Sequence, residues 1–201
     1  MKTRIAAVAL ALFSFSVSAH AFELGVLGGF NMSQPSLTAS GTNNVLEGGN
    51  GISFGGYVGF TMVPLLFSVE PGVFLVGQKY TSPVLGQTYS YNAIQIPVIA
   101  RFKALPFISP GLGLYYAMGM GDVSLEQAGQ TTLTRTFDNL GLGSSAFGAV
   151  ASLKAEFDLM PLISLVADAR YNLALSNQSQ SSAQTFRISG VQVFAGAQIG
   201  F

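Results

Sequence analysis

Phe60-Thr-Met-Val-Pro64, Phe102-Lys-Ala-Leu-Pro106 and Phe157-Asp-Leu-Met-Pro161 are three copies of one phrase. Each is Phe, three residues, Pro, and then two apolar residues: Leu65-Leu66, Phe107-Ile108 and Leu162-Ile163. Pro has no N–H for a sheet ladder, and its fixed φ suits a tight turn or the first residue of a strand. Each copy lies between long segments in which apolar residues alternate with polar or small ones. The phrase therefore predicts three short hairpin turns, all at one end of one sheet.

Working outward, the 201 residues are 49% hydrophobic yet only 9% charged, against about 25% in ordinary soluble domains. So little charge would cover a soluble surface poorly. Alternation in a chain with 24 Gly favours sheet over helix. There is no Cys, which excludes a disulfide frame and a Cys-based metal site. The formal charge is balanced, so the electrostatic footprint of a nucleic-acid binder is missing.

Residues 1–21 read as an export signal. Lys2 and Arg4 supply a positive start, residues 5–15 are an apolar run too short to span a bilayer as a helix, and Ala19-His20-Ala21 matches a cleavage site. Cleavage is expected before Phe22, leaving residues 22–201 as the working domain. Loss of Lys2 and Arg4 from the 9 basic residues leaves 7 against 9 acidic ones. Residues 22–201 hold neither His nor Cys.

The rest of the chain divides into eight expected strands: 22–31, 51–61, 65–79, 89–103, 106–120, 142–157, 162–175 and 188–201. Four long polar connections, at 32–50, 80–88, 121–141 and 176–187, alternate with the three short Pro turns. A transmembrane strand needs about 9–11 residues, and bacterial outer-membrane barrels have an even strand count, short periplasmic turns and longer outer loops. The expected fold is an all-β, eight-stranded antiparallel up-and-down transmembrane β-barrel in the bacterial outer membrane. Its short turns and both ends would be periplasmic, and outer-membrane lipid would surround it.

Alternation assigns the faces, because successive side chains of a strand point to opposite sides. In 163–172, Ile163, Leu165, Ala167, Ala169 and Tyr171 share one face, while Ser164, Val166, Asp168, Arg170 and Asn172 share the other. The strands around 67–76, 94–103 and 148–157 divide the same way, with every charge on one parity. A lipid-facing Arg or Lys at the bilayer midplane costs roughly 2–4 kcal/mol, which places that parity in the lumen. Glu70, Glu156 and Asp168 are therefore expected to meet Arg101, Lys103, Lys154 and Arg170 there. Narrow eight-stranded barrels are filled by side chains, and buried charges must pair. The expected result is an ion-pair network that plugs the lumen.

Aromatics are expected as two girdles. Phe60, Phe102, Phe107, Phe157 and Phe201 fall at the short-turn rim, and Tyr80, Tyr89, Tyr91, Tyr115 and Tyr171 fall nearer the outer ends. In the last strand Val191, Val193, Ala195, Ala197, Ile199 and the terminal Phe201 share one parity. Such an amphipathic strand ending in Phe resembles the signal read by the barrel assembly machinery, and Val193, Ala195, Ala197, Ile199 and Phe201 would carry it. The uncharged run at 104–121 is not read as a membrane helix, since Pro106, Pro110, Gly111 and Gly113 interrupt it.

Gly25-Val-Leu-Gly-Gly-Phe-Asn31, Glu70-Pro71, Gln95-Ile-Pro-Val98, Pro110-Gly-Leu-Gly-Leu-Tyr-Tyr116 and Phe201, in that order, carry a resemblance. The chain resembles the outer-membrane β-barrel domain family that includes PorT-like and OmpX-like barrels. Gln95 stands where PorT-like relatives often have Glu. The resemblance implies adhesion, surface protection or, in PorT-like members, a part in secretion, and it brings no catalytic residue and no cofactor.

The reading that follows is a non-enzymatic membrane anchor whose outer loops, above all 32–50 and 121–141, meet a surface or secretion partner. An accessory secretion component and a small pore are the alternatives. Barrel enzymes of the lipid A acylase or protease kind resemble Ser-His or Asp-His machines, and residues 22–201, which hold no His, cannot build one. A soluble lipocalin-like barrel would put the apolar parity inside, against the position of the charges.

Overall fold

The computed structural model describes residues 22–201 apart from 40–41, 45, 64–65, 104, 106, 128–130 and 182. The expected export segment and two turn prolines, Pro64 and Pro106, lie outside the described residues. Eight long strands carry the chain: β1 (Phe22–Ala39), β2 (Asn50–Val63), β3 (Phe67–Ser82), β4 (Gln87–Phe102), β5 (Ile108–Gln127), β6 (Ser145–Met160), β7 (Ile163–Ala174) and β8 (Gln184–Gly200). Each pairs antiparallel with its chain neighbours, and β8 returns to β1 in unbroken register from Gly200↔Glu23 to Gln184↔Ala39. The sheet is thus a closed up-and-down barrel, and closure removes the exposed edges of an open sheet. Among the described residues no helix is long and apolar enough to cross a membrane. The uncharged run at 104–121 lies largely in β5.

The short connections fall where the repeated phrase puts them. Met160 pairs with Ile163, so only Pro161 and Leu162 link β6 to β7. Val63 pairs with Phe67, and Leu66 N–H donates to Val63 O at 3.0 Å across the first turn. In the second turn Phe107 has a φ of +66°, a left-handed value that is costly for a bulky residue. Its carbonyl accepts from Glu156 N–H at 3.0 Å and its ring stacks on Phe157 at 6.4 Å, which hold it there. Phe22 meets Phe60 and Phe201 at 5.9 and 6.2 Å, and Phe67 meets Phe102 at 5.5 Å. The aromatic girdle of this rim therefore contains the five expected Phe residues together with Phe22 and Phe67.

Burial alternates with the expected phase. Along β7, Ser164, Val166, Asp168, Arg170 and Asn172 are buried, and their neighbours are exposed. β3, β4, β6 and β8 alternate in the same sense, so the charged parity faces the lumen and the apolar parity faces out. Val193, Ala195, Ala197, Ile199 and Phe201 all lie on the outer face. Small residues make room inside. Tyr57 pairs with Gly25 of β1 and with Gly72 of β3, and a Cβ on Gly72 would come within 2.8 Å of the Phe74 ring.

Two sequence-based expectations are corrected. The polar segments 32–50 and 121–141 are not loops throughout, because strand continues into both. β1 runs on to Ala39, Thr42–Asn44 folds back against it, and Glu47–Gly48 pairs with β3. β5 runs on to Gln127, and Leu133–Arg135 folds back against it. Beyond the apolar band a strand has no lipid face, so it loses the alternation that marks a strand in sequence. The second correction concerns the upper tyrosines. Tyr80 and Tyr115 are buried, and Tyr89 and Tyr91 pack with the lumen core. Tyr171 does face outward, joined by Tyr116. Height alone suggested a girdle, whereas parity turns these four rings inward.

The outer face yields a prediction. Leu153 is exposed on β6 between Pro110 of β5 and Ala169 of β7. Leu153→Arg should destabilise the barrel in lipid vesicles by about 2–4 kcal/mol in urea titration. Val84→Arg, in the tight β3–β4 link where Val84 is 86% exposed, should shift stability by less than about 0.5 kcal/mol. Equal effects would contradict the assigned faces.

Candidate functional site

The lumen is packed in layers from one rim to the other. Nearest the short turns is a set of charges. Arg101, fully buried on β4, is its centre. Its Nε donates to Glu70 Oε2 on β3, and its Nη2 donates to Asp168 Oδ2 on β7 at 2.8 Å. Its Nη1 donates to Ser109 O at 3.2 Å and Ser152 Oγ at 3.0 Å. Ser152 Oγ in turn donates to Asp168 Oδ1. The planar guanidinium fork thus ties β3, β4, β5, β6 and β7 together across the lumen.

Lys154 is the second buried cation. Its Nζ lies 2.6 Å from Glu70 Oε1 and 2.7 Å from Glu156 Oε1, and sits 4.9 Å from the centre of the Tyr57 ring. Tyr57 Oη donates to Gln198 Oε1 at 2.6 Å, and Gln198 Nε2 donates to Glu156 Oε2 at 2.9 Å. Above them Arg170 donates to Asp168 Oδ2 at 2.9 Å. Its guanidinium lies over the rings of Phe74 and Phe194, at 4.4 and 4.9 Å. A desolvated guanidinium gains from ring faces what water would otherwise supply.

All seven expected residues meet in this set, although Lys103 does not pair as anticipated. Its partner is Glu23, the second residue of β1, which also lies 3.9 Å from Lys154. Sequence reasoning missed Glu23, yet two signals pointed to it. It has the parity of Gly25 and Leu27, both buried. The expected set also held four cations against three anions, which is a poor balance for a sealed space. With Glu23 the count is four against four.

Beyond the charges lie Leu27, Phe74, Val76, Val166 and Phe194 with Tyr57, a small apolar layer. Next comes a row of amides. Gln192 Nε2 donates to Gln95 Oε1 at 2.8 Å, and Gln95 Nε2 donates to Asn172 Oδ1 at 3.1 Å. This row borders a cavity of about 30 Å³, large enough for a water or two. Gln95 thus takes part in the row without a charge. The outer mouth is closed by two clusters. One holds Tyr80, Phe186 and Ile188, and the other holds Val123, Leu125 and Phe137. Tyr80 stacks on Tyr89 at 5.0 Å, and Phe137 meets Tyr91 edge-on at 5.1 Å.

Removing one member of a buried pair leaves the other charge uncompensated, at about 3–5 kcal/mol. Arg101→Met should therefore lower the urea stability of the folded barrel by that amount. Glu23→Gln should cost less, because the Lys103 side chain keeps 16% of its exposure. Adding Lys103→Gln to Glu23→Gln should recover part of that loss. A double-mutant cycle with no coupling would contradict the pairing.

Over residues 5–195 the sequence matches the family described as outer membrane protein beta-barrel domain. No curated protein matches the chain in sequence. Among solved structures, OprG from Pseudomonas aeruginosa is 12% identical, covering 92% of this chain and 98% of its own, with a TM-score of 0.52. Neisserial surface protein A is 14% identical over 89% of this chain and 97% of its own, with a TM-score of 0.50. A major outer membrane protein from Thermus thermophilus is 14% identical over 87% and 99%, also with a TM-score of 0.50. At these identities the likeness is one of fold, and it agrees with the closed ring of strands and the outward apolar face. The chain belongs to the outer membrane protein β-barrel domain family, and its place is the bacterial outer membrane.

Proposed function

We propose that this protein is a non-conducting, non-enzymatic anchor that presents its long-loop rim to the outside of the cell. The observation that carries the reading is the packed lumen. Charge, apolar, amide and aromatic layers follow one another along the barrel, and the cavity between them measures about 30 Å³. The lumenal acids and bases are engaged with one another, and residues 22–201 supply no His or Cys as base or nucleophile. The short-turn rim then faces the periplasm, as in other such barrels. The strands that project past the apolar band, including 32–39 and 121–127 with its return segment, form the outward surface. Val193, Ala195, Ala197, Ile199 and Phe201 serve as the signal for the barrel assembly machinery, exposed together on the outer face of β8 and beyond its end.

Two measurements test this. Protein refolded into planar bilayers should give no stable conductance steps, and regular ion-selective steps would overturn the closed-lumen reading. Trimming residues 40–46 and 128–132 should leave the barrel folded while removing its contacts with other cells or surfaces. Unchanged contacts would contradict the anchor reading, and a secretion defect in their place would favour a PorT-like accessory role.

A further inference from the structure

The long-loop rim carries a built, donor-rich face. Past the apolar band β4, β5 and Leu133–Arg135 form a three-stranded antiparallel ribbon. Its register is informative, since residues directly opposite in a sheet share a face. Gln87 lies opposite Gln127, Tyr89 opposite Leu125, Leu125 opposite Leu133, and Val123 opposite Arg135. These side chains therefore share one face of the ribbon, turned toward the barrel axis. Leu140, from the 3-10 turn Asp138–Leu140, stands over it, and the open cleft between them measures about 250 Å³. That leaves room for a ligand of the size of one sugar ring.

The five N–H donors of Arg135 and the side-chain amides make donors the majority on this face. Tyr89 Oη donates to Gln87 Oε1 at 3.0 Å, and Gln87 Nε2 donates to Gln127 Oε1 at 3.3 Å. Each amide oxygen accepts one bond in this chain, and Gln127 Nε2 is left as a free donor among the described residues. Arg135 has no carboxylate within ion-pair distance among the described residues. Among those residues no acidic side chain lines the space, and Glu126 has the opposite parity. Leu125, Leu133 and Leu140 supply an apolar wall beside these donors. A ligand for such a face carries an anion, further acceptors and an apolar flank in one compact ring.

We propose that this face binds uronic acid units, carboxylated sugars that occur free or within acidic polysaccharides. The carboxylate pairs with Arg135, ring hydroxyls accept from Gln127, and the C–H face of the sugar lies on the leucines. The proposal rests on the reading of this rim as the outward surface, and it names what that surface meets.

Isothermal titration of the refolded full barrel with D-glucuronate, a glucuronate oligomer, glucose and acetate tests it. Glucuronate should bind at least tenfold more tightly than either glucose or acetate. Arg135→Gln should weaken glucuronate at least tenfold, and Gln127→Leu should weaken it severalfold. Both sites lie outside the barrel core, so circular dichroism should be unchanged. Tighter binding of the oligomer than of the monomer would identify a polymer as the source, and equal binding per unit would identify the free sugar. Glucuronate no tighter than glucose or acetate, or undiminished in Arg135→Gln, overturns the proposal. Cell-surface contact that survives in Arg135→Gln would overturn this site as its cause while leaving the anchor reading standing.

Discussion

Eight charged side chains share a lumen too narrow for bulk water, and each must find its counter-charge among the others. An unpaired carboxylate, ammonium or guanidinium in such a space would lose hydration worth several kcal/mol. The chain meets that constraint with four cations and four anions drawn from β1, β3, β4, β6 and β7 and from Lys103 just past β4. Pairing of this sort adds little to stability compared with an apolar core of the same volume. Its stronger effect is on register. A one-residue slip of β4 or β6 would carry Arg101 or Lys154 to the outer face, at a cost per cation that rises with depth to roughly 2–4 kcal/mol at the bilayer midplane. Lumen and lipid therefore enforce the same alignment from opposite sides.

The remaining layers follow from that cluster. Arg170 is the transition, since its head reaches Asp168 below and two phenyl rings beside it. Above those rings a row of neutral amides crosses the lumen. The mouth is sealed by tyrosines and phenylalanines whose strands extend well past the membrane. The extension itself gives the β4–β5 ribbon a solvent-facing stage on a rigid base.

Much of this was legible in the sequence because two physical rules act residue by residue. Pro at the turns and the exclusion of charge from lipid were enough to place three hairpins and to assign both faces of β3, β4, β6 and β7. Glu23 escaped because it is the one charged residue of β1, so no second charge on that strand drew its parity into the network. The tyrosines at 80, 89, 91 and 115 were misplaced because height was read without parity. The strand extensions were taken for loops because polar composition reports exposure to water, and a strand in water looks like a loop in composition. The ribbon face was out of reach for the same reason, since it depends on the register of Leu133–Arg135 against β5.

A sealed lumen is the claim on which the anchor reading stands, and the chain offers a direct probe because it has no Cys of its own. Ser68 is 1% exposed beside Arg101 in the sheet, and its Oγ has no hydrogen-bond partner among the described residues. Ser68→Cys therefore places a thiol in the charged layer with little disturbance. Ser144→Cys places one on the exposed long-loop side. Treated with a small charged thiol reagent in lipid vesicles, the Cys at 144 should react fully while the Cys at 68 stays unmodified. Equal rates of modification at the two positions would contradict the closed lumen.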